Sequence, residues 1–343
     1  MTATAMRPSI FYLDLLRCGA AFAVVAIHVL GPWRYLYGQI PELEWLAAAG
    51  INSLTRWAVP VFMLISGALL LSDKREFDCS YYLHRRLAKV AIPFLIWSLI
   101  YALVGGFTDN GWQAHKTTGL IEAATNTPVW YHLWFFYDFI PLYFVIPLLI
   151  PLLRVMSPER FKLILAAWLL LTLMNWLKVE SFLQQNLLLY TGYLLLGWYL
   201  FNRDNRAELP LWLAAGLGML AFNFFGTWHL SHEHGKYHIF FMGYKSLNTV
   251  IIAGMLFVLA QTYGERITGR WRQWVSLVSK YSLGIYLIHP LFLIPVREIS
   301  NGYYDFFASN WLAIPALTIC VLTISLLATI VLAKLPILKG LVP

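Results

Sequence analysis

Residues 10–30 read IFYLDLLRCGAAFAVVAIHVL, an apolar run long enough to cross a bilayer as one helix. The run lacks a small-residue cleavage site and contains Asp14 and Arg17, so we expect a retained first helix rather than a signal peptide. The whole chain is 59% hydrophobic and 12% charged, against about 25% charged in an average soluble domain. A water-soluble globule of this size needs more polar surface. The composition therefore predicts an all-α integral membrane protein.

Nine further segments are apolar enough to be membrane helices, which makes ten in all. The ten predicted segments are 10–30, 54–72, 84–105, 131–152, 161–178, 186–201, 210–226, 243–263, 280–297 and 309–334. Two of them, 161–178 and 186–201, are shorter than the roughly 20 residues that a span needs. Since no linker, low-complexity tract or internal repeat separates the segments, we expect residues 1–343 to form a single membrane domain.

Lysine and arginine are unevenly divided between the two sides of these ten helices. With the N-terminus placed in the cytoplasm, seventeen of them fall on the cytoplasmic side and seven on the opposite side. The seven are Arg34, Arg56, Lys116, Lys178, Lys236, Lys245 and Arg297. Because positive residues accumulate in cytoplasmic loops, the count predicts that both termini are cytoplasmic. The net charge of +8 is therefore a topology signal, and we expect no nucleic-acid partner.

The first helix contains ionisable residues, which are costly inside a membrane and are candidates for function. Arg17 and His28 are eleven residues apart, so they differ by roughly 20° around the helix axis and by roughly 16 Å along it. One face thus presents a guanidinium toward the predicted cytoplasmic side and an imidazole toward the other. A purely structural alternative pairs Arg17 with Asp14, one turn earlier, and leaves His28 at the membrane interface.

Four other segments combine polar and aromatic residues in an unusual way. They are RWAVPVFMLISG (56–67), with Arg56 at the outer end of the predicted second helix; the basic start of the third helix, with Arg85, Arg86 and Lys89; YHLWFF (131–136); and SLGIYLIHP (282–290). Each has a structural explanation as well. The basic cluster can contact anionic lipid headgroups or hold phosphates. The aromatic residues can form an interfacial belt with His132 in contact with water. We interpret His289 as structural, because Pro290 frees a backbone carbonyl.

Four histidines fall together in a predicted outer loop, at His229, His232, His234 and His238. Such spacing can bind a metal, but no cysteine or carboxylate pattern supports one. We therefore expect a solvated loop and no metal cofactor.

Taken in this order, the segments resemble the acyltransferase-3 family of membrane acyltransferases. The hallmark of that family is a basic residue and a histidine separated by ten residues in the first helix, here Arg17 and His28. The layout looks closest to the branch that includes the enterobacterial common antigen O-acetyltransferase. One departure is Lys89, where relatives often have arginine, because lysine cannot bind a phosphate in bidentate geometry.

The resemblance implies a multi-pass O-acyltransferase of the bacterial cytoplasmic (inner) membrane. Such a protein can also form homo-oligomers. It would move an acyl group, by family default acetyl, from cytosolic acetyl-CoA to a hydroxyl of an extracytoplasmic glycan or other envelope acceptor. His28 would either deprotonate that hydroxyl or carry the acyl group itself. The implied residues are His28, Arg17 and Asp14 for catalysis; Arg17, Arg85, Arg86 and Lys89 for acyl-CoA; and Arg56, Tyr131, His132 and Trp134 for the acceptor.

We expect no soluble SGNH-type hydrolase domain. The acyl group would therefore pass directly to an acceptor or through a separate partner protein. Two other function classes stay open. A glycan or small-metabolite exporter of the same fold predicts inverted repeats or interrupted half-helices, and neither is evident in the sequence. A non-catalytic scaffold of an envelope complex would tolerate the loss of His28.

Overall fold

A computed structural model describes residues 10–299 and 307–342 of the protein, almost entirely as helices. The α-helices, in chain order, are α1 (Phe11–Val29), α2 (Glu42–Thr55), α3 (Ala58–Leu70), α4 (Cys79–Tyr82), α5 (Ala88–Gly105), α6 (Ala114–Ala123), α7 (Trp134–Val155), α8 (Pro158–Trp176), α9 (Asn186–Phe201), α10 (Leu209–His234), α11 (Leu247–Tyr263), α12 (Gly269–Lys280), α13 (Ser282–Ile299) and α14 (Asn310–Lys334). A π-helical turn, Leu83–Leu87, joins α4 to α5. Two short strands, β1 (Phe107–Thr108) and β2 (Gly111–Trp112), pair as an antiparallel hairpin.

Seven helical stretches of the described chain are long and apolar enough to cross a membrane. They are Phe11–Val29, Glu42–Leu70, Cys79–Gly105, Trp134–Val155, Arg206–His234, Leu247–Arg266 and Asn310–Lys334. Helices α12 and α13 meet at a 73° bend and make an eighth if they form one span. Helix α9 is apolar but only 16 residues long, and α8 begins with several charged residues. The helices support an all-α, multi-pass membrane protein, while the count of ten and the side of each terminus stay predictions.

The sequence prediction missed α2, and this changes the position of Arg56. Helix α2 has Glu42 and Glu44 in its first turn and buries the polar residues Asn52 and Ser53, so it contains no long apolar run. Arg56 directly follows α2, with Trp57 between it and α3, and it is buried. It therefore lies at a joint inside a 29-residue helical stretch, and its side of the membrane stays a prediction.

Helix α10 is also longer than predicted and takes in most of the expected histidine loop. It runs to His234, so His229, His232 and His234 are helical rather than in a loop. The helix ends because Gly235 adopts the left-handed conformation, with a φ of 63°, which glycine accepts without steric cost.

Helix α1 is the central helix of the bundle. It packs against α2, α3, α11, α12, α13 and α14, and most of its residues are buried. Small residues such as Gly19, Ala20 and Ala23 allow neighbouring helices to come close. Its polar side chains therefore face other parts of the protein more than lipid.

Helices α3 and α9 make a close backbone contact, through one glycine on each. A Cβ atom added to Gly67 would lie 2.0 Å from the carbonyl oxygen of Leu194, and one added to Gly197 would lie 2.0 Å from that of Leu64. Neither backbone has room for a methyl group. This contact fixes α3, and with it the joint that holds Arg56.

Candidate active site

The imidazole of His28, in the last turn of α1, lies against the imidazole of His289 in α13. The Nδ1 atom of His28 is 2.7 Å from Nε2 of His289, and the two rings lie edge to edge with their centroids 4.9 Å apart and an angle of 12° between their planes. On its other side, Nδ1 of His289 is 3.1 Å from the carbonyl oxygen of Ile285. The two rings and this carbonyl form one continuous chain of hydrogen bonds.

The hydrogen-bond partners assign a tautomer to each ring. A carbonyl oxygen can only accept, so Nδ1 of His289 carries the proton and donates to Ile285. In the neutral ring, Nε2 of His289 is then an acceptor, and the proton between the rings belongs to Nδ1 of His28. The lone pair of His28 is left on Nε2. His28 is only partly buried, and this geometry is that of an oriented general base.

The structural interpretation of His289 is therefore incomplete. His289 does contact a backbone carbonyl in its own helix, as expected beside Pro290. It also contacts a residue 261 positions earlier in the chain, and a single sequence carries no signal for that pairing.

His132 is fully buried beside this pair, so the expected contact with water is wrong. Its ring lies 5.7 Å from that of His289 and 4.9 Å from that of Tyr101. The hydroxyl of Tyr286 donates to the backbone carbonyl of His132 and holds this segment against α13. Both ring nitrogens of His132 lack a hydrogen-bond partner within the described residues.

Arg297 is a further neighbour of His28 that sequence reasoning counted only as a charge on the outer side. Its Nη2 atom donates to the backbone carbonyl of His28 over 2.9 Å, one of the carbonyls that the end of α1 leaves without a helical partner. Its guanidinium also lies 4.9 Å from the ring centroid of Tyr131. The Tyr131 ring is itself 5.1 Å from the His28 ring.

Arg56 and Trp134 belong to one stack at the same end of the bundle. The guanidinium of Arg56 lies over Tyr244, 5.0 Å from the ring centroid. Trp134 stacks on Tyr244, with a centroid separation of 5.2 Å and an interplanar angle of 24°. Tyr244 was not singled out in the sequence, because an isolated tyrosine in an outer segment has no distinguishing pattern. The structure thus gathers Arg56, Tyr131, His132 and Trp134 near the end of α1 that holds His28.

At the end of α1 opposite His28, Asp14 forms an ion pair with Arg17. The Nη1 atom of Arg17 lies 3.1 Å from Oδ1 of Asp14, and the hydroxyl of Ser279 in α12 donates to the same oxygen over 2.8 Å. The Arg17 side chain keeps 28% of its surface exposed. The ion pair is present, and it leaves part of the guanidinium free to meet a ligand.

The predicted phosphate-binding residues divide into two groups. Arg86 lines a cavity of about 240 Å³ with Arg75, Asp73 and Tyr82, and its Nη2 atom lies 3.6 Å from Asp73. Arg17 and Arg86 both lie within electrostatic range of Tyr143. Arg85 and Lys89 are exposed and do not line this cavity. The structure therefore brings Arg86, but neither Arg85 nor Lys89, toward the region of Arg17.

The histidines of α10 form separate local contacts. Nδ1 of His232 lies 3.2 Å from the Tyr37 hydroxyl. Nδ1 of His234 donates to the Leu230 carbonyl oxygen over 2.8 Å. Across the part of the chain that the structure describes, no group of three or more His, Cys, Asp or Glu residues is placed to hold a metal ion.

Comparison with known proteins gives one match. The family model Acyl_transf_3, described as an acyltransferase domain, matches residues 10–330. This range starts at α1 and ends inside α14, so it includes both ends of the site. No curated protein and no solved structure matches the chain.

Proposed function

The chain belongs to the acyltransferase-3 family of membrane acyltransferases, and from this premise we propose that it is an O-acetyltransferase. It would move an acetyl group from cytosolic acetyl-CoA to a hydroxyl of an extracytoplasmic glycan or other envelope acceptor, in a bacterial inner membrane. The observation that carries the proposal is the hydrogen-bond chain from Ile285 through His289 to His28. It leaves a lone pair on a partly exposed imidazole that is held in one orientation.

The proposed reaction uses His28 as the general base. A hydroxyl is a poor nucleophile at neutral pH, so a base has to take its proton as it attacks. Nε2 of His28 takes that proton while the acceptor oxygen bonds to the thioester carbonyl carbon. The carbon–sulfur bond then breaks, and the proton passes from His28 to the departing thiolate to give CoA. His289 keeps the ring in the required tautomer and accepts from its Nδ1–H throughout.

The donor would enter from the end of the bundle that holds Arg17. Its phosphates are polyanionic, and guanidinium groups bind phosphate through paired charge-assisted hydrogen bonds. Arg17 and Arg86 both lie within electrostatic range of Tyr143, so we assign them the donor phosphates. Arg85 and Lys89 would add charge at the entrance. The pantetheine arm would then extend along α1, over the roughly 16 Å between Arg17 and His28.

The acceptor would bind among the aromatic residues at the other end. Tyr131 lies against His28, and Trp134 belongs to the stack with Tyr244 and Arg56. Aromatic faces give sugar rings apolar contact, and His132, which is fully buried, would support the acceptor pocket from behind Tyr131.

Mass spectrometry of envelope glycans, from cells with and without the protein, tests the proposal. We expect loss of one acetyl group per acceptor unit when the protein is absent, and no restoration by the His28→Ala variant. An exporter of the same fold would instead change the amount of surface glycan and leave its acetylation unchanged. If the protein were a scaffold, the His28→Ala variant would restore the normal glycan acetylation in full. Either of these results would contradict acetyl transfer.

A further inference from the structure

Three arginines surround the acceptor side of the site, and we call Arg34, Arg56 and Arg297 the arginine cluster. Arg297 donates to the His28 carbonyl. Arg34 lies within electrostatic range of His28, and Arg34 and Arg56 both lie within such range of Tyr237. Two of the seven cations counted on the outer side, Arg34 and Arg297, therefore act on the proposed catalytic imidazole, and Arg56 joins them through Tyr237.

Arg56 is buried and Arg34 and Arg297 are half-buried, and part of the cluster's hydrogen-bonding capacity is unused. Arg56 is only 9% exposed. Within the described chain, buried guanidinium nitrogens without a hydrogen-bond partner occur in all three residues: Nε of Arg56, Nε of Arg297, and Nε and Nη1 of Arg34. The contacts that the cluster does make are with neutral groups. They are the His28 carbonyl, the Tyr35 hydroxyl, the hydroxyls of Tyr237 and Tyr244 beside Arg56, and the rings of tyrosines.

No carboxylate balances these charges among the side chains that the structure describes. None of the ion pairs there includes Arg34, Arg56 or Arg297. Two acidic residues of α2 have other partners: Glu42 accepts from Trp228, and Glu44 accepts from the backbone of Asn310. Lys245, another cation counted on the outer side, differs from the arginine cluster because a carboxylate lies near it. Lys245 contacts Asn186, and Asn186 donates to Asp138.

An uncompensated buried charge costs several kcal/mol, and positive residues on the outer side also oppose the usual topology bias. A site that holds one buried and two half-buried arginines, none of them in an ion pair among the described side chains, is suited to an anionic ligand. Arginine in particular matches the planar, two-oxygen edge of a carboxylate or phosphate.

We propose that the acceptor is anionic, and that its carboxylate or phosphate binds the arginine cluster while a nearby hydroxyl faces Nε2 of His28. This rests on the proposed function, since it names the substrate class of the same site. Arg297 contacts the backbone of His28, so an anion bound there lies close to the base. A sugar acid or a sugar phosphate has the required chemistry, and a neutral sugar does not.

The test measures ligand binding to the full chain in nanodiscs, by the shift in its midpoint of thermal unfolding. The probes are D-glucose, D-glucuronate and D-glucose 1-phosphate, titrated at constant ionic strength in the presence of saturating CoA. We expect D-glucuronate or D-glucose 1-phosphate to raise the midpoint and D-glucose to leave it unchanged. The anion that gives the larger shift separates a carboxylate from a phosphate acceptor.

The Arg56→Gln and Arg297→Gln variants should each weaken anion binding about tenfold or more, the usual loss for one charge-assisted hydrogen bond. Lys116→Gln, an exposed outer cation on α6, is the matched control and should bind as the unchanged protein does. The proposal is overturned if neither anion binds, if both arginine variants bind normally, or if saturating CoA abolishes binding. The last result would assign the cluster to the donor phosphates.

This outcome is separable from that of the proposed function. Anion binding without any acetyl transfer would sustain the arginine assignment and overturn the acetyltransferase. Acetyl transfer without anion binding would sustain the acetyltransferase and overturn the arginine assignment.

Discussion

The imidazole of His28 gains its proposed role from the residue behind it. An isolated histidine can present either ring nitrogen as the acceptor, because its two neutral tautomers are close in energy. Here the Ile285 carbonyl fixes the proton of His289, and His289 in turn fixes the proton of His28. The acceptor nitrogen therefore always faces away from His289.

Substitution of His289 tests this relay at the scale of single residues. We expect His289→Ala to lower the kcat of acetyl transfer by about 10²-fold, the lower range for a mispositioned general base. The KM for acetyl-CoA should not change, because donor binding is assigned to the other end of α1. The measurement is steady-state transfer from labelled acetyl-CoA by the purified protein.

His289→Gln is the matched variant, since its side-chain oxygen can still accept from Nδ1 of His28. It should recover part of the lost kcat. Equal losses in the two variants would show that His289 acts through packing, and an unchanged kcat in both would remove it from the mechanism.

The sequence supplied one half of this site and missed the other for a physical reason. Asp14, Arg17 and His28 lie on a single helix, where spacing alone fixes their relative positions, and the ion pair between Arg17 and Asp14 is present. His289 and Arg297 reach His28 across 261 and 269 positions. Such contacts depend on how helices pack, and no local pattern records them.

At the scale of secondary structure, the missed elements are the polar helices. Helix α2 buries Asn52, whose side-chain amide nitrogen donates to the Tyr237 hydroxyl over 2.7 Å, so part of its polar character is met by the rest of the protein. Helix α12 carries Arg270 and Arg272 with the exposed Trp271 and Trp274, a composition typical of a helix that lies along a membrane surface. A search for long apolar runs finds neither kind. The longer apolar segments all contain helices, and α10 extends eight residues beyond its predicted end.

The contact between α3 and α9 gives a prediction about stability. Gly67→Ala places a methyl group against the backbone of Leu194, and backbone atoms cannot move aside as a flexible side chain can. We expect a loss of about 1–3 kcal/mol in unfolding free energy, the usual range for overpacking a core. The midpoint of thermal unfolding of the purified protein in detergent measures it.

Gly218→Ala in α10 is the control, because no atom lies within 4 Å of its added Cβ. Alanine is the better helix former by about 1 kcal/mol, so this variant should be as stable as the unchanged protein or slightly more stable. A Gly67→Ala variant that unfolds at the same midpoint as Gly218→Ala would mean that α3 and α9 are not in backbone contact.

At the scale of the whole molecule, the account requires the two ends of α1 to face opposite sides of the membrane. The native Cys79, at the start of α4, is exposed and falls on the predicted cytoplasmic side. We expect a membrane-impermeant maleimide to leave it unlabelled in intact cells and to label it in inside-out vesicles.

A Lys116→Cys substitution in a Cys79→Ser background provides the matched outer position. It should be labelled in intact cells. The reverse pattern at these two positions would invert the membrane orientation and place Arg17 away from the cytosolic donor.

The central claim is that one helix binds the donor at Arg17 and performs acetyl transfer at His28. The most direct measurement pairs CoA binding with acetyl transfer for purified His28→Ala and Arg17→Ala, using acetyl-CoA and the envelope glycan of cells that lack the protein. The account predicts that His28→Ala binds CoA normally and transfers no acetyl group above background, whereas Arg17→Ala binds CoA more weakly. Full acetyl transfer by His28→Ala would contradict it.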